Sequence, residues 1–289
     1  MTKRRTAFYW MTLPALVLFF AFHTYPALQG IFYAFTNWDG FSKSYDFIGL
    51  KNFINVFKDS NVLDSYIFTF KYAITATILI NVLSLLIALG LNAKIKAKNF
   101  FRAFYFLPNV LGVLIIGYIF NYLFSNAFPI LGEKLGSDFL SINLLGKPDW
   151  AWVGVVIVGV WQAIAYNTIL YLAGLQTIPA DLYEASSLDG ASKWKEFWKI
   201  TFPMLASFFT INMVLAMKGG LMVFDQIVAL TGGGPGTATR SIALLIYQGG
   251  FTGGEFAYQS ANAVIYFIVI VAISLFQIKV LQRRELDQL

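Results

Sequence analysis

From Thr6 to Trp38 the chain carries no Asp, Glu, Lys or Arg, and Tyr72 to Ala93 is a second charge-free run. Runs of this kind leave few folds open. A hydrocarbon layer holds no water to pair a stray N–H or C=O, so a spanning segment must satisfy its backbone internally; a helix of about 20 apolar residues does so across about 30 Å. The expected fold is all-α and polytopic. Composition agrees: 58% of residues are hydrophobic and 12% charged, with a mean hydropathy of +0.65, which is too apolar for an ordinary soluble domain.

Six spans are expected in all. The first is Thr6 to Trp38, with Pro14 and Pro26 as sources of kinks; its length and the lack of a small-residue cleavage site favour a retained anchor over a signal peptide. The second is Tyr72 to Ala93, with Lys71 reaching back to the interface. The third lies within Ala103 to Gly132, and the fourth takes most of Trp150 to Gln176. The fifth, Met204 to Leu230, carries Lys218 and Asp225 beside Gly219-Gly220 and is expected to be broken. Thr231 to Gly236 reads as an irregular turn, because its glycines and proline oppose helix and sheet alike. Arg240 to Glu255 is compatible with a short re-entrant or surface helix, and Phe256 to Ile278 is the sixth span.

Basic residues orient these spans. With the N-terminus inside, the cytoplasmic face receives Lys3, Arg4 and Arg5, then Lys94, Lys96, Lys98 and Arg102, then Lys193, Lys195 and Lys199, and last Lys279, Arg283 and Arg284. The outer face receives Lys43, Lys51, Lys58, Lys134, Lys147 and Arg240. Thirteen against six predicts that both termini are cytoplasmic. The same mechanism accounts for the net charge of +6 without nucleic acid.

Much chemistry is excluded. The chain has no cysteine, hence no disulfide, thiolate metal ligand or cysteine nucleophile, and its one histidine, His23, sits in an apolar run, so no metal site is expected. No Gly-rich loop ends in Gly-Lys-Ser/Thr, so ATP hydrolysis is not expected here, and no spaced carboxylate pair in the spans suggests a glycosidase or proton relay. No catalytic residue and no cofactor are predicted.

What the spans do hold is Asn109, Gln162, Tyr166, Asn167, Lys218 and Asp225. Intramembrane polar groups are costly unless they face a cavity or one another. Amide and hydroxyl groups beside aromatic faces suit an uncharged, polyhydroxylated solute better than an ion, and they also serve as glue between helices. Lys218 and Asp225, about two helical turns apart, are expected to pair with each other or to reach an interface.

Between the fourth and fifth spans lies a polar interruption, 178–203. Pro179 can open a helix, Asp181 then lies against the positive end of its dipole, and Gly190 can stop it in a left-handed conformation. A second helix can begin at Ser192, with Trp194, Phe197, Trp198 and Phe202 apolar and Lys193, Lys195, Glu196 and Lys199 polar. Physics alone allows such a segment to rest on lipid headgroups or to meet a partner.

The run Glu184-Ala185-Ser186-Ser187-Leu188-Asp189-Gly190-Ala191, followed by Phe197, Ile200 and Pro203, resembles the cytoplasmic EAA loop of binding-protein-dependent ABC importer permeases; Ser186 stands where that family has a second alanine. Phe224 to Pro235 is similar to the segment after the fifth core span in its carbohydrate-uptake branch, that of the maltose and glycerol-3-phosphate permeases. The resemblance implies a type I transmembrane domain over 66–281, preceded by a tail, first helix and outer loop in 1–65 and followed by a cytoplasmic tail, 282–289. It implies a multi-pass protein of a bacterial or archaeal cell membrane, working with a second, often non-identical permease, ABC ATPase subunits and an external solute-binding protein. Glu184, Ala185, Asp189, Gly190 and Ala191 would contact the ATPase. ATP binding would close the ATPase dimer and move the loops, turning the cavity to alternating access. Sugar contacts of the maltose-type permeases fall near Asn109, Gln162, Tyr166 and the Gly220 to Val223 region, Met222 included, with only Tyr166 preserving its side chain; a sugar or oligosaccharide other than maltose is implied. The alternatives are a same-fold permease for another solute and, more distantly, a proton-coupled transporter, for which neither ionisable relay nor internal repeat is visible.

Overall fold

The computed structural model describes residues 2–93 and 107–286, with side chains described in 10–93 and 107–281. The basic loop at Lys94, Lys96, Lys98 and Arg102 and the first residues of the third span therefore lie outside the described residues. In chain order the helices are α1 (Thr2–Phe19), α2 (Tyr25–Tyr33), α3 (Lys51–Val56), α4 (Ser60–Asn92), α5 (Val113–Tyr122), α6 (Phe128–Leu135), α7 (Pro148–Thr177), α8 (Ala180–Leu188), α9 (Lys193–Glu196), α10 (Phe202–Met204), α11 (Ala206–Leu221), α12 (Asp225–Leu230), α13 (Ile242–Tyr247) and α14 (Phe256–Leu286). Among the described residues the only extended pairing is an isolated antiparallel bridge, Thr36 to Phe47.

Among the described residues five stretches are long and apolar enough to cross a membrane: Trp10–Tyr33, Ser60–Asn92, Val113–Leu135, Pro148–Thr177 and Phe256–Leu281. A sixth exists if Lys193–Met204 and Ala206–Leu221, bent by 70°, are taken together. The second stretch begins earlier than its charge-free core, at Ser60, because Asp59 caps it: its Oδ1 accepts from the Asn61 N–H at 2.9 Å.

Prolines leave a recurrent mark. Wide π-turns occupy Phe20–Thr24, Leu123–Ala127 and Phe197–Thr201, and each ends two residues before a proline, Pro26, Pro129 and Pro203. A proline ring collides with the carbonyl four residues back and offers it no N–H. Widening the preceding turn removes the collision without ending the helix.

The chain divides into two compact units. One comprises 1–63 and 245–268. Here Asn52 donates from Nδ2 to the carbonyls of Ala34 and Thr36 at 3.0 and 2.8 Å, closing the loop after α2, and Tyr258 donates to Asp59 at 2.9 Å. Trp38 stacks on Tyr33 and meets Phe256 edge-on.

The other unit comprises 64–244 and 269–289. Its first core gathers α4, α5, α7 and α12 around Phe68, Ile116, Val155, Val158, Ile227 and Leu230. Close approach of α5 and α12 depends on Gly117, whose position would drive a Cβ into Ala229. A second core, with Ala88, Leu91, Tyr171, Leu175, Ile178 and Leu205, roots the 178–203 segment in α4 and α7. The Tyr171 hydroxyl donates to Asn81 at 2.6 Å, a buried polar tie between those helices.

Candidate functional site

Two features of the second unit have the form of a site. The first is a cavity of about 710 Å³. Its walls come from the ends or breaks of several helices, and the breaks explain why polar groups face it. The residues 107–110 are helical, but Gly112 is extended and restarts the helix as α5, leaving Asn109 exposed. Across from this break, α7 contributes Gln162, Tyr166 and Asn167. At the end of α11, Met222 and Phe224 leave helical geometry, and α12 restarts with Asp225 in its first turn.

Asn109, Gln162, Tyr166, Asn167 and Asp225 all line this cavity, whereas Met222 does not: it is exposed outside the lining. Gln162 donates to the Leu111 carbonyl at 3.3 Å, bracing the wall opposite. Asn167 donates back to Ala163 at 2.9 Å within its own helix, while its buried Oδ1 has no protein partner. Tyr166 is about half exposed. Lys218 and Asp225 form no ion pair among the described residues. Their spacing does not translate into stacked turns, because the helix ends at Leu221 between them.

Two lining residues escaped the sequence reading. Tyr72 donates to Gln226 Oε1 at 3.0 Å, both buried, joining α4 to α12. Gly159 makes room for this pair, since a Cβ there would strike the Tyr72 hydroxyl and Gln226 Oε1. The amide of Gln226, one residue past the break, was the available signal; Tyr72 was hidden as one aromatic among many. Nearby, Lys71 places its ammonium 3.7 Å from the centroid of the Trp152 ring. A cation–π contact thus holds a lysine expected to reach for the interface.

The cavity's chemistry is that of neutral donors and acceptors with one carboxylate, set among apolar walls, and its volume lies within the range of about 300–1,000 Å³ usual for small-molecule sites.

The second feature is the 178–203 segment. Pro179 forces Ile178 into an extended conformation and serves as N-cap of α8, one position before the first helical residue. Asp181 lies in the first turn, as its charge favours. At the other end the Ala191 N–H reaches the Ser186 carbonyl at 3.0 Å and the Gly190 N–H that of Ser187 at 3.2 Å. These two bonds define a Schellman motif, with Gly190 at φ +70°. Ser192 then caps α9 by accepting from the Lys195 N–H at 3.3 Å. Tyr183 and Thr201 join their hydroxyls at 3.1 Å, bracing the two halves against each other.

Glu184, Ala185, Asp189 and Gly190 are exposed, Ala191 is partly buried, and Leu188 is 90% exposed, so α8 presents acids beside an apolar side chain. Ser186 is buried. The second half departs from expectation in one respect. Glu196, expected on the polar face, is buried and paired with Lys193 at 2.9 Å. The segment meets the next helix through a bend: after the π-turn and Pro203, Leu205 adopts φ −87°, ψ 0° and the axis turns by 70°.

Residues 80–286 match the family described as binding-protein-dependent transport system inner membrane component. The multiple sugar-binding transport system permease protein MsmF of Streptococcus mutans is 39% identical over 93% of this chain and 93% of its own. The probable starch degradation products transport system permease protein AmyD of Thermoanaerobacterium thermosulfurigenes is 38% identical over 96% and 95%. Among solved structures, a bacterial alginate ABC transporter, determined in complex with an alginate pentasaccharide-bound periplasmic protein, superposes with a TM-score of 0.83 at 23% identity, covering 98% of this chain and 96% of that one.

Proposed function

Because the chain belongs to the family of binding-protein-dependent transport system inner membrane components, we propose how it works as the membrane permease of an ATP-driven sugar or oligosaccharide importer. The energy enters from outside the chain. ATP is hydrolysed on separate ABC ATPase subunits, and 178–203 receives their movement; Glu184, Ala185, Asp189, Gly190 and Ala191 form the contact. The support for this role is mechanical: α8 starts directly after Pro179, is closed by a Schellman motif and is flanked in the chain by Ile178 and Leu205, which lie in a buried core. A stiff lever transmits displacement where a flexible linker would absorb it.

Solute passes through the 710 Å³ cavity, with Asn109, Gln162, Tyr166, Asn167 and Asp225 making its contacts. That cavity is the observation that carries the solute reading. Its amides and hydroxyls match the alternating donors and acceptors of a sugar, and the Tyr166 ring offers an apolar face to C–H groups. A second permease, non-identical to this one, completes the pore, and an external solute-binding protein delivers the cargo; the periplasmic protein bound to the alginate transporter supports that arrangement. Both termini and 178–203 face the cytoplasm in this scheme, as the basic residues favour.

Uptake of radiolabelled oligosaccharides by cells carrying the complete transporter tests the solute site. Tyr166→Ala is expected to lower uptake at least several-fold while the complex still assembles in the membrane. Unaltered uptake removes Tyr166 from the path.

A further inference from the structure

The two halves of 178–203 differ in charge and in what they expose. On α8 the exposed charges are acidic, Asp181, Glu184 and Asp189. From Ser192 to Met204 they are basic, Lys193, Lys195 and Lys199, since Glu196 is buried and paired. Trp194 and Trp198, one helical turn apart, are 72% and 47% exposed. These two indoles form an exposed row, while Glu196 and Thr201 of the same stretch are buried.

The bend decides where that row lies. A stretch like Lys193–Met204 is about 18 Å long at 1.5 Å per residue. Inclined at 70° to Ala206–Leu221, it advances only about 6 Å along that helix. With an ordinary span tilt of about 20° from the bilayer normal, it runs nearer the membrane plane than the normal. Indoles beside lysines in that plane are the chemistry of the headgroup layer, where the ring is half apolar and the ammonium meets anionic lipid. The rings also form a ladder: Trp194 to Trp198 at 5.7 Å, Trp198 to Phe202 at 5.3 Å and Phe202 to Phe209 at 5.5 Å, ending inside α11.

We propose that Trp194, Trp198, Lys195 and Lys199 form a lipid-docking face that rests on anionic phospholipid headgroups, while only α8 and the turn after it, through Ala191, are given to the ATPase. The bilayer then acts as the fulcrum of the lever, and the ring ladder carries its tilt into α11. This rests on the reading of the chain as a membrane permease with 178–203 on the cytoplasmic side.

The chain has no cysteine, so single labels can be placed by substitution. The complete transporter is reconstituted in vesicles of phosphatidylcholine with phosphatidylglycerol, with a nitroxide at Trp198→Cys, at Lys195→Cys (which keeps both indoles) or at Asp189→Cys. Collisions with oxygen, which enters lipid, are compared with those of a water-soluble nickel chelate, before and after the ATPase subunits are stripped. Labels at 195 and 198 are expected to favour oxygen in both states, and the label at 189 to lose nickel access only when the ATPase is present. If 195 and 198 are open to nickel without the ATPase and lose that access with it, the face belongs to the ATPase and the proposal is overturned; nickel access in both states overturns it as well. A label at 189 that never responds to the ATPase contradicts the coupling role of α8 instead, and leaves the result at 195 and 198 to be read separately.

Discussion

At Gly190 the backbone takes φ +70°, and a Cβ placed there would meet nothing within 4 Å. Within this chain any loss on substitution is therefore conformational, about 1–2 kcal/mol for an L-residue held left-handed and more for a β-branched one. Gly190→Val is expected to abolish solute-stimulated ATP hydrolysis and Gly190→Asn to lower it only a few-fold; equal effects would mean that crowding matters after all. Gly159 is the opposite case, where the space is already taken. Gly159→Ala forces apart the Tyr72–Gln226 pair, a clash costing about 1–3 kcal/mol. Adding Tyr72→Phe removes the colliding hydroxyl and is expected to restore part of the lost thermal stability, a non-additive pair. Asp39 accepts from Ser42 Oγ at 2.6 Å and from the N–H groups of Ser42 and Phe41, each at 2.8 Å. These bonds, the Ser42 hydroxyl foremost, bring its pKa down from 3.8 to about 2. The turn's support is thus complete above the unfolded value and is lost only as pH falls through about 2. A carboxyl resonance of Asp39 titrating near 4 would contradict it.

The helices carry two kinds of information that differ in legibility. Charge-free runs and Pro179, Gly190 and Ser192 act within a few residues, so the other spans, the start and stop of α8 and the cap of α9 were readable in the chain; the fifth span, expected over Met204 to Leu230, is instead the bent pair Lys193–Met204 and Ala206–Leu221. Asn109, Gln162 and Tyr166 stood out because an amide or hydroxyl in an apolar run needs a reason. Tyr72 and Gln226 did not, since their bond joins positions 154 apart, and Met222 was misplaced from the cavity because the backbone leaves helical geometry where it sits. The burial of Glu196 was not readable either, and a π-turn, Phe197–Thr201, follows it directly. Proline governs that turn, and an element-scale prediction follows from it. Pro203→Ala restores an N–H and removes the ring clash, so the 70° bend should relax. Spin labels at Lys193→Cys and Leu215→Cys should then move apart, with weakened coupling; an unchanged distance would assign the bend to packing around Leu205.

For the whole molecule, no nucleotide-binding loop is present in a chain built around a polar cavity and a stiff, exposed lever. In the proposed function this chain acts only in company: the cavity serves as the path for solute, and 178–203 as the point where work arrives. The direct measurement is ATP hydrolysis by the reconstituted transporter with its sugar-loaded solute-binding protein, comparing the native chain with Glu184→Lys. Loaded binding protein should stimulate hydrolysis at least several-fold in the native complex and leave the variant at its unstimulated rate. Equal stimulation of both would contradict the claim that 178–203 couples solute movement to ATP.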